Sequence, residues 1–504
     1  MAYRGKLSKA CLPCRKRKLR CDLHKHGCTQ CARAKLTCSD YRDTKALRLR
    51  DETSVTRKRV NARQSIKEVP RSVSVSICNQ AKDLFYYNYV VGANKPFNFL
   101  QAIYSPTAKV EYLDRSVNAV ALAYLNYQRH PPSAEQEARQ QYVLALSLTG
   151  AALRNPGQAR QDSTILAILL LDLYEKITTK EPSFHGAWAA HLSGALALVK
   201  LRDDRQFEEP HVISMLMRLS TNLLISCVAS DRPVCAGSVI LRSNIARYLP
   251  GPIDPKWQES DLMIEFARLR QEIKEGALSE DKSISALVNL DSKFVKLSME
   301  VPPSWQYKTI SVKRRTKHHY DLFHHIHPAE HIAQMWNTLR LTRLLINELI
   351  CSRFLDSCKD LNRGRGDAAL QQHATEIIKD MASDICATVP QYIQHTPGSL
   401  FQGPVGTPEY VGVASDNDII SPFIERCNPT HHVPCYRLIF PLYVAAQSIV
   451  TPASLKRWVI ERLRFMADYH AIRNAAAIAN VLESGGSKHI WHVYAMLGSY
   501  AFVC

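Results

Sequence analysis

The sequence predicts a mostly helical protein in which a small cysteine-rich N-terminal unit precedes a much larger helical unit. Six cysteines fall between Cys11 and Cys38 at a repeated spacing. Along the rest of the chain, apolar residues recur at intervals of three and four, as on one face of a helix, and alternation of Val, Ile and Thr between hairpin signals is scarce. A chain of 504 residues is too long for one core, so we expect at least two folding units.

The N-terminal cysteines form two triplets with the same internal spacing, C-x2-C-x6-C, and they are Cys11, Cys14, Cys21, Cys28, Cys31 and Cys38. Zinc prefers four ligands in a tetrahedron, and thiolates are its usual structural partners. Six thiolates complete two tetrahedra only if two of them bridge both metals, and the repeat suggests Cys11 and Cys28. One Zn²⁺ would then add Cys14 and Cys21, and the other Cys31 and Cys38. We therefore expect two Zn²⁺ per chain to supply the folding energy of this unit.

A run of positive charge lies between the second and third cysteines. Arg15-Lys16-Arg17-Lys18-Leu19-Arg20 holds five cations in six residues. Residues 1–65 contain 19 Lys and Arg against 5 Asp and Glu, so +14 of the chain's net charge of +19 lies there. Such local basicity is typical of a polyanion-binding unit. The alternatives are a solvated charged face or a nuclear import signal alone.

Residues 8–41 resemble the fungal zinc binuclear cluster DNA-binding domain, whose cysteines have this spacing. The resemblance implies that the helix after the second cysteine enters the major groove of double-stranded DNA. It also implies that Lys18, three residues before the third cysteine, contacts guanines, typically in CGG triplets. A cation aimed at guanine O6 and N7 is the commonest specific base contact, whereas phosphate contacts add affinity and register. The remaining cations that we expect at DNA are Arg15, Lys16, Arg17, Arg20, Arg33 and Lys35.

One position departs from that family's pattern. The loop before the fourth cysteine usually carries a proline two residues upstream of it, and His26 stands there in this chain. The substitution puts the rigidity of the loop in doubt, but not metal binding. We do not expect His24 or His26 to bind zinc, because six thiolates already fill the cluster.

Residues 42–75 read as a basic linker. Relatives often follow the cluster with a heptad coiled coil, but Leu47, Val55 and Val60 do not form a sustained apolar seam. A homodimer would therefore have to form through the larger unit, or the protein binds DNA as a monomer. The run Arg57-Lys58-Arg59 is interpreted either as a nuclear import signal or as further phosphate contacts.

Residues 76–504 are predicted to form an all-helical unit. Helix-spaced apolar sets start at Val117, Ile332 and Leu455. We expect Thr451 to cap a helix that begins at Pro452, a turn at residues 155–157, and a long surface loop at residues 401–435.

This unit resembles the helical regulatory domain of one branch of fungal zinc-cluster transcription factors, which implies a regulatory role. The resembling stretches are Tyr41-Arg42-Asp43, Arg50-Asp51-Glu52, Asp162-Ser163-Thr164, Leu169-Leu170-Leu171, Tyr174-Glu175, His191-Leu192-Ser193-Gly194-Ala195 and Phe440-Pro441-Leu442-Tyr443.

We expect the larger unit not to be an enzyme. It lacks a Walker loop, a nucleophile elbow, an H-E-x-x-H helix and a Rossmann fingerprint. Six histidines between His318 and His331 could form a second metal site or a pH-sensitive surface, but we expect an exposed histidine-rich segment. The nine cysteines outside the N-terminal cluster are expected to be buried and inert.

Together these features predict a nuclear, sequence-specific regulator of RNA polymerase II transcription that binds double-stranded DNA and coregulators or the transcription machinery. No apolar stretch reaches the roughly 20 residues of a membrane span, so we expect no membrane partner. The alternative is a helical enzyme or ligand-sensing scaffold that uses the zinc unit only as a non-specific nucleic-acid tether.

Overall fold

The computed structural model forms two compact units, Met1–Ser74 and Val75–Cys504. The structure describes residues 8–39, 41–43, 53–54, 57–58, 76–92, 95–105, 110–131, 133–178, 185–229, 232, 234–249, 254–356, 365–393, 429–470, 472–485 and 490–497. We call the first unit the head and the second the helical unit.

The head contains α1 Leu12–Lys16 and α2 Thr29–Arg33. The first part of the helical unit contains α3 Ile77–Phe85, continued by a π-helical turn Tyr86–Val90, then α4 Leu100–Ile103, α5 Glu111–Arg129, α6 Ala134–Leu153, α7 Pro156–Ala159, α8 Asp162–Thr178, α9 His185–Lys200, a 3-10 turn Asp204–Phe207, α10 Pro210–Ala229 and α11 Ala236–Tyr248. The remainder contains α12 Pro255–Lys274, α13 Glu280–Glu300, a 3-10 turn Pro303–Trp305, β1 Lys308–Ser311, β2 Phe323–Ile326, α14 Glu330–Asp356, α15 Arg365–Ala387, α16 Val389–Ile393, α17 Pro429–Gln447, α18 Ala453–Tyr469, α19 Arg473–Glu483 and α20 Ile490–Met496.

The prediction of a mostly helical chain is confirmed. The apolar sets that begin at Val117, Ile332 and Leu455 lie on α5, α14 and α18, and those three residues are at most 5% exposed. Consecutive helices pack against each other along much of the unit, as α5 does with α6 and α14 with α15. Helix α8 is buried on nearly every side because its middle is a continuous apolar run, and it lies between α5, α6 and α9.

Short polar residues begin several of these helices. The side chain of Ser76 accepts a hydrogen bond from the amide of Asn79 at the start of α3. The side chain of Asp254 accepts a hydrogen bond from the amide of Lys256 at the start of α12, whose first residue is Pro255. Asn155 caps the short helix α7. The predicted turn at residues 155–157 is therefore the first turn of a helix. The Asn155 carboxamide oxygen accepts hydrogen bonds from the amides of Gly157 and Gln158, which have no partner within the helix.

Two predictions of local structure are wrong. The hydroxyl of Thr451 donates to the carbonyl of Ala445 at 2.6 Å, so it satisfies the end of α17 instead of capping α18. Residues 429–435, expected in the loop that starts at residue 401, belong to α17. Residues 401–428 of that loop lie outside the described residues.

The all-helical prediction also missed one β-hairpin. Strands β1 and β2 are antiparallel, with Thr309 opposite His325 and Ser311 opposite Phe323. Strand β2 packs on α15 and α16, which places histidines inside the protein. His318, His319, His325 and His327 are at most 8% exposed, so the expectation of an exposed histidine-rich segment is wrong. Two of the buried rings have a polar side chain beside them in place of water: His325 Nε2 lies 3.2 Å from Asp384, and His327 Nδ1 lies 3.2 Å from Gln391.

Some of the cysteines outside the head are buried, as predicted, and others are not. Cys351, Cys386 and Cys435 are buried, whereas Cys78 and Cys227 are half-buried and Cys235 is exposed. The remaining three, Cys358, Cys427 and Cys504, lie outside the described residues.

Among the described helices, Pro210–Val228 is long and apolar enough to cross a bilayer, but 72% of this segment is buried inside the protein. It is the buried helix α10, whose apolar side chains pack in the core of the helical unit.

Candidate metal centre and nucleic-acid interface

The two halves of the head repeat the same backbone path. Helix α1 follows Cys11 and helix α2 follows Cys28, and each helix has five residues. Each helix carries the second cysteine of its triplet on its inner side, so Cys14 and Cys31 are buried. The repeated sequence therefore builds a repeated scaffold, and all four of these thiols face one centre.

The same hydrogen bonds close both halves. The amide of Leu19 donates to the carbonyl of Cys14 at 2.9 Å, and the amide of Leu36 donates to Cys31 at 3.0 Å. The residue before each leucine has a left-handed backbone, with φ of 55° at Lys18 and 51° at Lys35. Non-glycine residues seldom adopt this conformation. Lysine therefore stands at both positions although its backbone conformation there is an unfavourable one for a residue other than glycine.

The six sulfurs lie together in two groups of four that share Cys11 and Cys28. One group adds Cys14 and Cys21, the other adds Cys31 and Cys38, and within each group the sulfurs lie within 4.8 Å of one another. Separations include 3.7 Å between Cys11 and Cys28, and 3.5 Å between Cys14 and Cys28. All six thiols are free of disulfides.

These separations fit zinc. A tetrahedron with zinc–sulfur distances of about 2.3 Å has sulfur–sulfur edges of about 3.8 Å. The observed separations of 3.5 to 3.9 Å lie around that value. Two shared corners give two tetrahedra from six thiols, so the donor set matches two Zn²⁺ in number, chemistry and spacing.

Burial makes some of these thiols hard to ionise, whereas hydrogen bonds lower the pKa values of Cys21 and Cys38. Burial raises the pKa of the Cys14 thiol to about 12, and it raises the pKa of Cys31 further. Cys38 differs, because a hydrogen bond to the Tyr41 hydroxyl lowers the pKa of its thiol to about 7. A pair of divalent cations removes this obstacle, since thiolates are the ligand form.

Tyr41 is a functional side chain whose role the sequence did not reveal. Its hydroxyl oxygen lies 3.3 Å from Cys38 Sγ and donates to the carbonyl of His24 at 2.8 Å. The phenol thus ties the last cysteine to the loop between the two halves. The only sequence signal was that Tyr41 opens one of the resembling stretches.

The loop with His26 in place of proline is braced in another way. Both the amide and the hydroxyl of Thr29 donate to the carboxylate of Asp22, at 3.1 and 2.8 Å. These bonds lower the pKa of Asp22, and Gly27 closes a turn onto His24 with a positive φ of 118°. Side-chain hydrogen bonds therefore hold the loop without a fixed proline ring.

Most of the predicted DNA-contacting cations lie at the surface of the head. Six of the seven are exposed, namely Lys16, Arg17, Lys18, Arg20, Arg33 and Lys35, and the seventh, Arg15, is half-buried. In the described part of the head, none of the seven forms an ion pair with a carboxylate. Their charge is consequently available to an external anion.

Among the described residues, the two cysteine groups are the only places where three or more His, Cys, Asp or Glu side chains lie close enough together to hold a metal ion. The buried histidines of the hairpin do not form such a set. His319 and His324 approach each other at 3.2 Å, but the third ligand that a zinc site needs is lacking among the described residues.

Comparison with known proteins agrees with this geometry. Residues 9–47 match the fungal Zn(2)-Cys(6) binuclear cluster domain, and residues 94–231 match the fungal specific transcription factor domain. The chain therefore carries two segments that are similar to the two domains of fungal zinc binuclear cluster transcription factors. Transcription factor dbaG of Emericella nidulans is 20% identical over 446 residues, which cover 82% of this chain and 93% of that protein. No solved structure matches the chain.

These matches account for the head and for the first part of the helical unit. The six clustered cysteines form the family's binuclear centre, which is consistent with two Zn²⁺. The chain is a DNA-binding regulator of transcription, and the family is typically nuclear.

Proposed function

We propose that this protein is a nuclear, sequence-specific regulator of RNA polymerase II transcription that reads CGG-type half-sites. The observation that carries the proposal is the position of Lys18, exposed just past the end of the basic helix α1 and without a carboxylate partner in the described residues. A lysine ammonium held there can donate to O6 and N7 of guanine.

Each head residue then has one role. Cys11 and Cys28 bridge the two zinc ions, and each of the four other cysteines binds one ion. When bound, the zinc ions give the head its fold. Arg15, Lys16, Arg17, Arg20, Arg33 and Lys35 bind phosphates, which fixes the register of Lys18 on the bases.

The larger unit is proposed to be regulatory and not enzymatic. Its extended apolar core and the match over residues 94–231 support a packed helical domain that modulates the head or binds coregulators. On this proposal residues 8–41 form the DNA-binding domain, residues 42–75 a basic linker and residues 76–504 the regulatory domain. Since no heptad follows the cluster, dimerisation, if it occurs, would use the regulatory domain.

The test is competition between duplexes at several salt concentrations. Full-length zinc-loaded protein should bind a duplex with CGG half-sites about 1,000-fold or more tightly than a scrambled duplex of the same composition. Affinity for both should fall with salt, because phosphate contacts release counterions. Equal affinity for both duplexes would instead support a non-specific tether and contradict the proposal. Mapping of bound genomic sites would then give half-site spacing.

A further inference from the structure

A large, partly open cavity lies within the helical unit, far along the chain from the cysteines of the head. Its volume is about 940 Å³, near the upper end of the range for small-molecule sites. Its walls come from α5, α6 and the end of α8, and from α17 and α19. It is therefore built partly from the segment that matches the family's helical domain and partly from helices near the C-terminal end of the chain.

The charge of the wall favours an anion. Arg139 on α6 and Arg473 on α19 line the cavity, and both are exposed. Among the described residues, neither guanidinium forms an ion pair. Lys176 also lines the cavity, but its ammonium lies 2.6 Å from the buried carboxylate of Asp172, which neutralises it. Glu135 is the one carboxylate among the described lining residues, so positive charge prevails.

The remaining wall is rich in tyrosine rings held in fixed orientations. Tyr142 on α6 stacks on Tyr174 of α8, with ring centroids 4.2 Å apart and planes 11° apart. Tyr142 is also anchored at its hydroxyl, which donates to Glu175 at 2.6 Å. Tyr127 and Tyr436 meet edge to face at 6.2 Å. Preorganised flat rings favour a planar ligand, because little side-chain entropy is lost on binding.

We infer that this cavity binds a small aromatic carboxylate. The ring system of such a ligand packs on the tyrosines, and its carboxylate accepts hydrogen bonds from Arg139 and Arg473. A guanidinium matches a carboxylate with two parallel N–H donors, which gives geometric selectivity as well as charge. Because the two arginines lie on helices distant in the sequence, the ligand links both parts of the helical unit.

The test uses the full-length zinc-loaded protein with 2-naphthoate as probe and 2-naphthalenemethanol as its neutral counterpart. Titration calorimetry at millimolar ligand should show one saturable site per chain for 2-naphthoate, with affinity at least about 10-fold above that of the alcohol. Arg139→Gln and Arg473→Gln should each weaken 2-naphthoate about 5-fold or more and leave binding of the alcohol unchanged. Arg160→Gln, which removes an exposed arginine away from the cavity, is the matched control and should change neither affinity.

Absence of saturable binding of 2-naphthoate would overturn the inference. So would equal affinities for acid and alcohol, or 2-naphthoate binding that both arginine variants leave intact. Thermal unfolding of each variant establishes that it is folded, and the charge-preserving variants Arg139→Lys and Arg473→Lys should retain more affinity than the glutamine variants. No DNA is present in these titrations, so their outcome is independent of the proposed recognition of CGG sites.

Discussion

Lys18 and Lys35 occupy equivalent points of the cysteine repeat, each with the same left-handed backbone just after the C-cap of its helix, at φ of 55° and 51°. Both side chains are exposed. Substitution by alanine therefore carries the same backbone cost at either site. Any difference between the two variants must come from what the ammonium groups bind.

Lys18→Ala should selectively remove sequence discrimination. We expect a loss of about 1–3 kcal/mol in the free-energy difference between a CGG duplex and one with the guanines replaced. Lys35→Ala should lower the affinity for both duplexes alike. It should also make the plot of log affinity against log salt concentration less steep by about one unit, as expected on loss of a phosphate contact. Fluorescence anisotropy at four salt concentrations measures both quantities. Full retention of discrimination by Lys18→Ala would show that another residue reads the bases.

Cysteine replacements should distinguish a shared cluster from two independent sites. Cys28→Ala removes a sulfur common to both groups of four, so the head should lose both zinc ions and unfold. Cys14→Ala removes a sulfur that belongs to one group, so one zinc ion should remain. Elemental analysis of dialysed full-length protein gives the ratio of zinc to chain.

The exposed Cys235 lies outside the head, so Cys235→Ser is the control and should keep two zinc ions. If Cys28→Ala still held one zinc ion as tightly as the unchanged protein, Cys28 would not be a bridge.

Tyr41→Phe tests the hydrogen bonds that fasten the end of the cluster. The phenol hydroxyl contacts Cys38 Sγ and the carbonyl of His24, and phenylalanine keeps the ring but loses both contacts. Outer hydrogen bonds of this kind hold metal ligands in place, so we expect zinc to pass to a colorimetric chelator about 10-fold faster. Tyr87→Phe, at an exposed tyrosine in the helical unit, should leave the rate unchanged. An unaltered rate in Tyr41→Phe would mean that the phenol does not support the cluster.

The sequence was sufficient for the metal centre because the information is local. Six thiols between Cys11 and Cys38, at a doubled spacing, admit few ways of completing two tetrahedra. The contact of Tyr41 with His24 could not be predicted, since it depends on how the loop folds back across 17 residues. The brace from Asp22 to Thr29 is of the same kind, and it supplies the rigidity that the missing proline put in doubt.

The histidine hairpin was missed for a related reason. A polar residue is expected at the surface unless a partner is known, and the partner of His325 is Asp384, 59 residues away. Strands of four residues also leave too few alternating positions to separate a hairpin from a loop. The cavity between α6 and α19 could not be predicted either, because Arg139 and Arg473 lie far apart along the chain and only the packing of the helices brings both to one cavity.

The hairpin makes the stability of the helical unit depend on pH. His318 packs edge to face on Phe465 at 5.0 Å, and burial, with Arg462 and Lys317 nearby, lowers the pKa of His318 from 6.5 to about 4. Burial also lowers the pKa values of His319, His324 and His325. The unfolded chain therefore takes up protons below pH 6.5 that the folded chain does not. The contribution of these histidines to stability is fully present above that pH and is lost as the pH drops towards 4.

His318→Phe should remove one of these protonation sites while keeping a ring against Phe465. Between pH 7.5 and 5, the variant should lose less free energy of unfolding than the unchanged protein, by about 1 kcal/mol, since protonation of His318 favours the unfolded chain in this range. All six tryptophans lie beyond residue 74, so their fluorescence in urea reports on the helical unit without the zinc head. His373→Phe, at an exposed histidine on α15, serves as the control and should show the unchanged pH dependence. If the free energy of unfolding of His318→Phe changed with pH as it does in the unchanged protein, the acid sensitivity would originate in other groups.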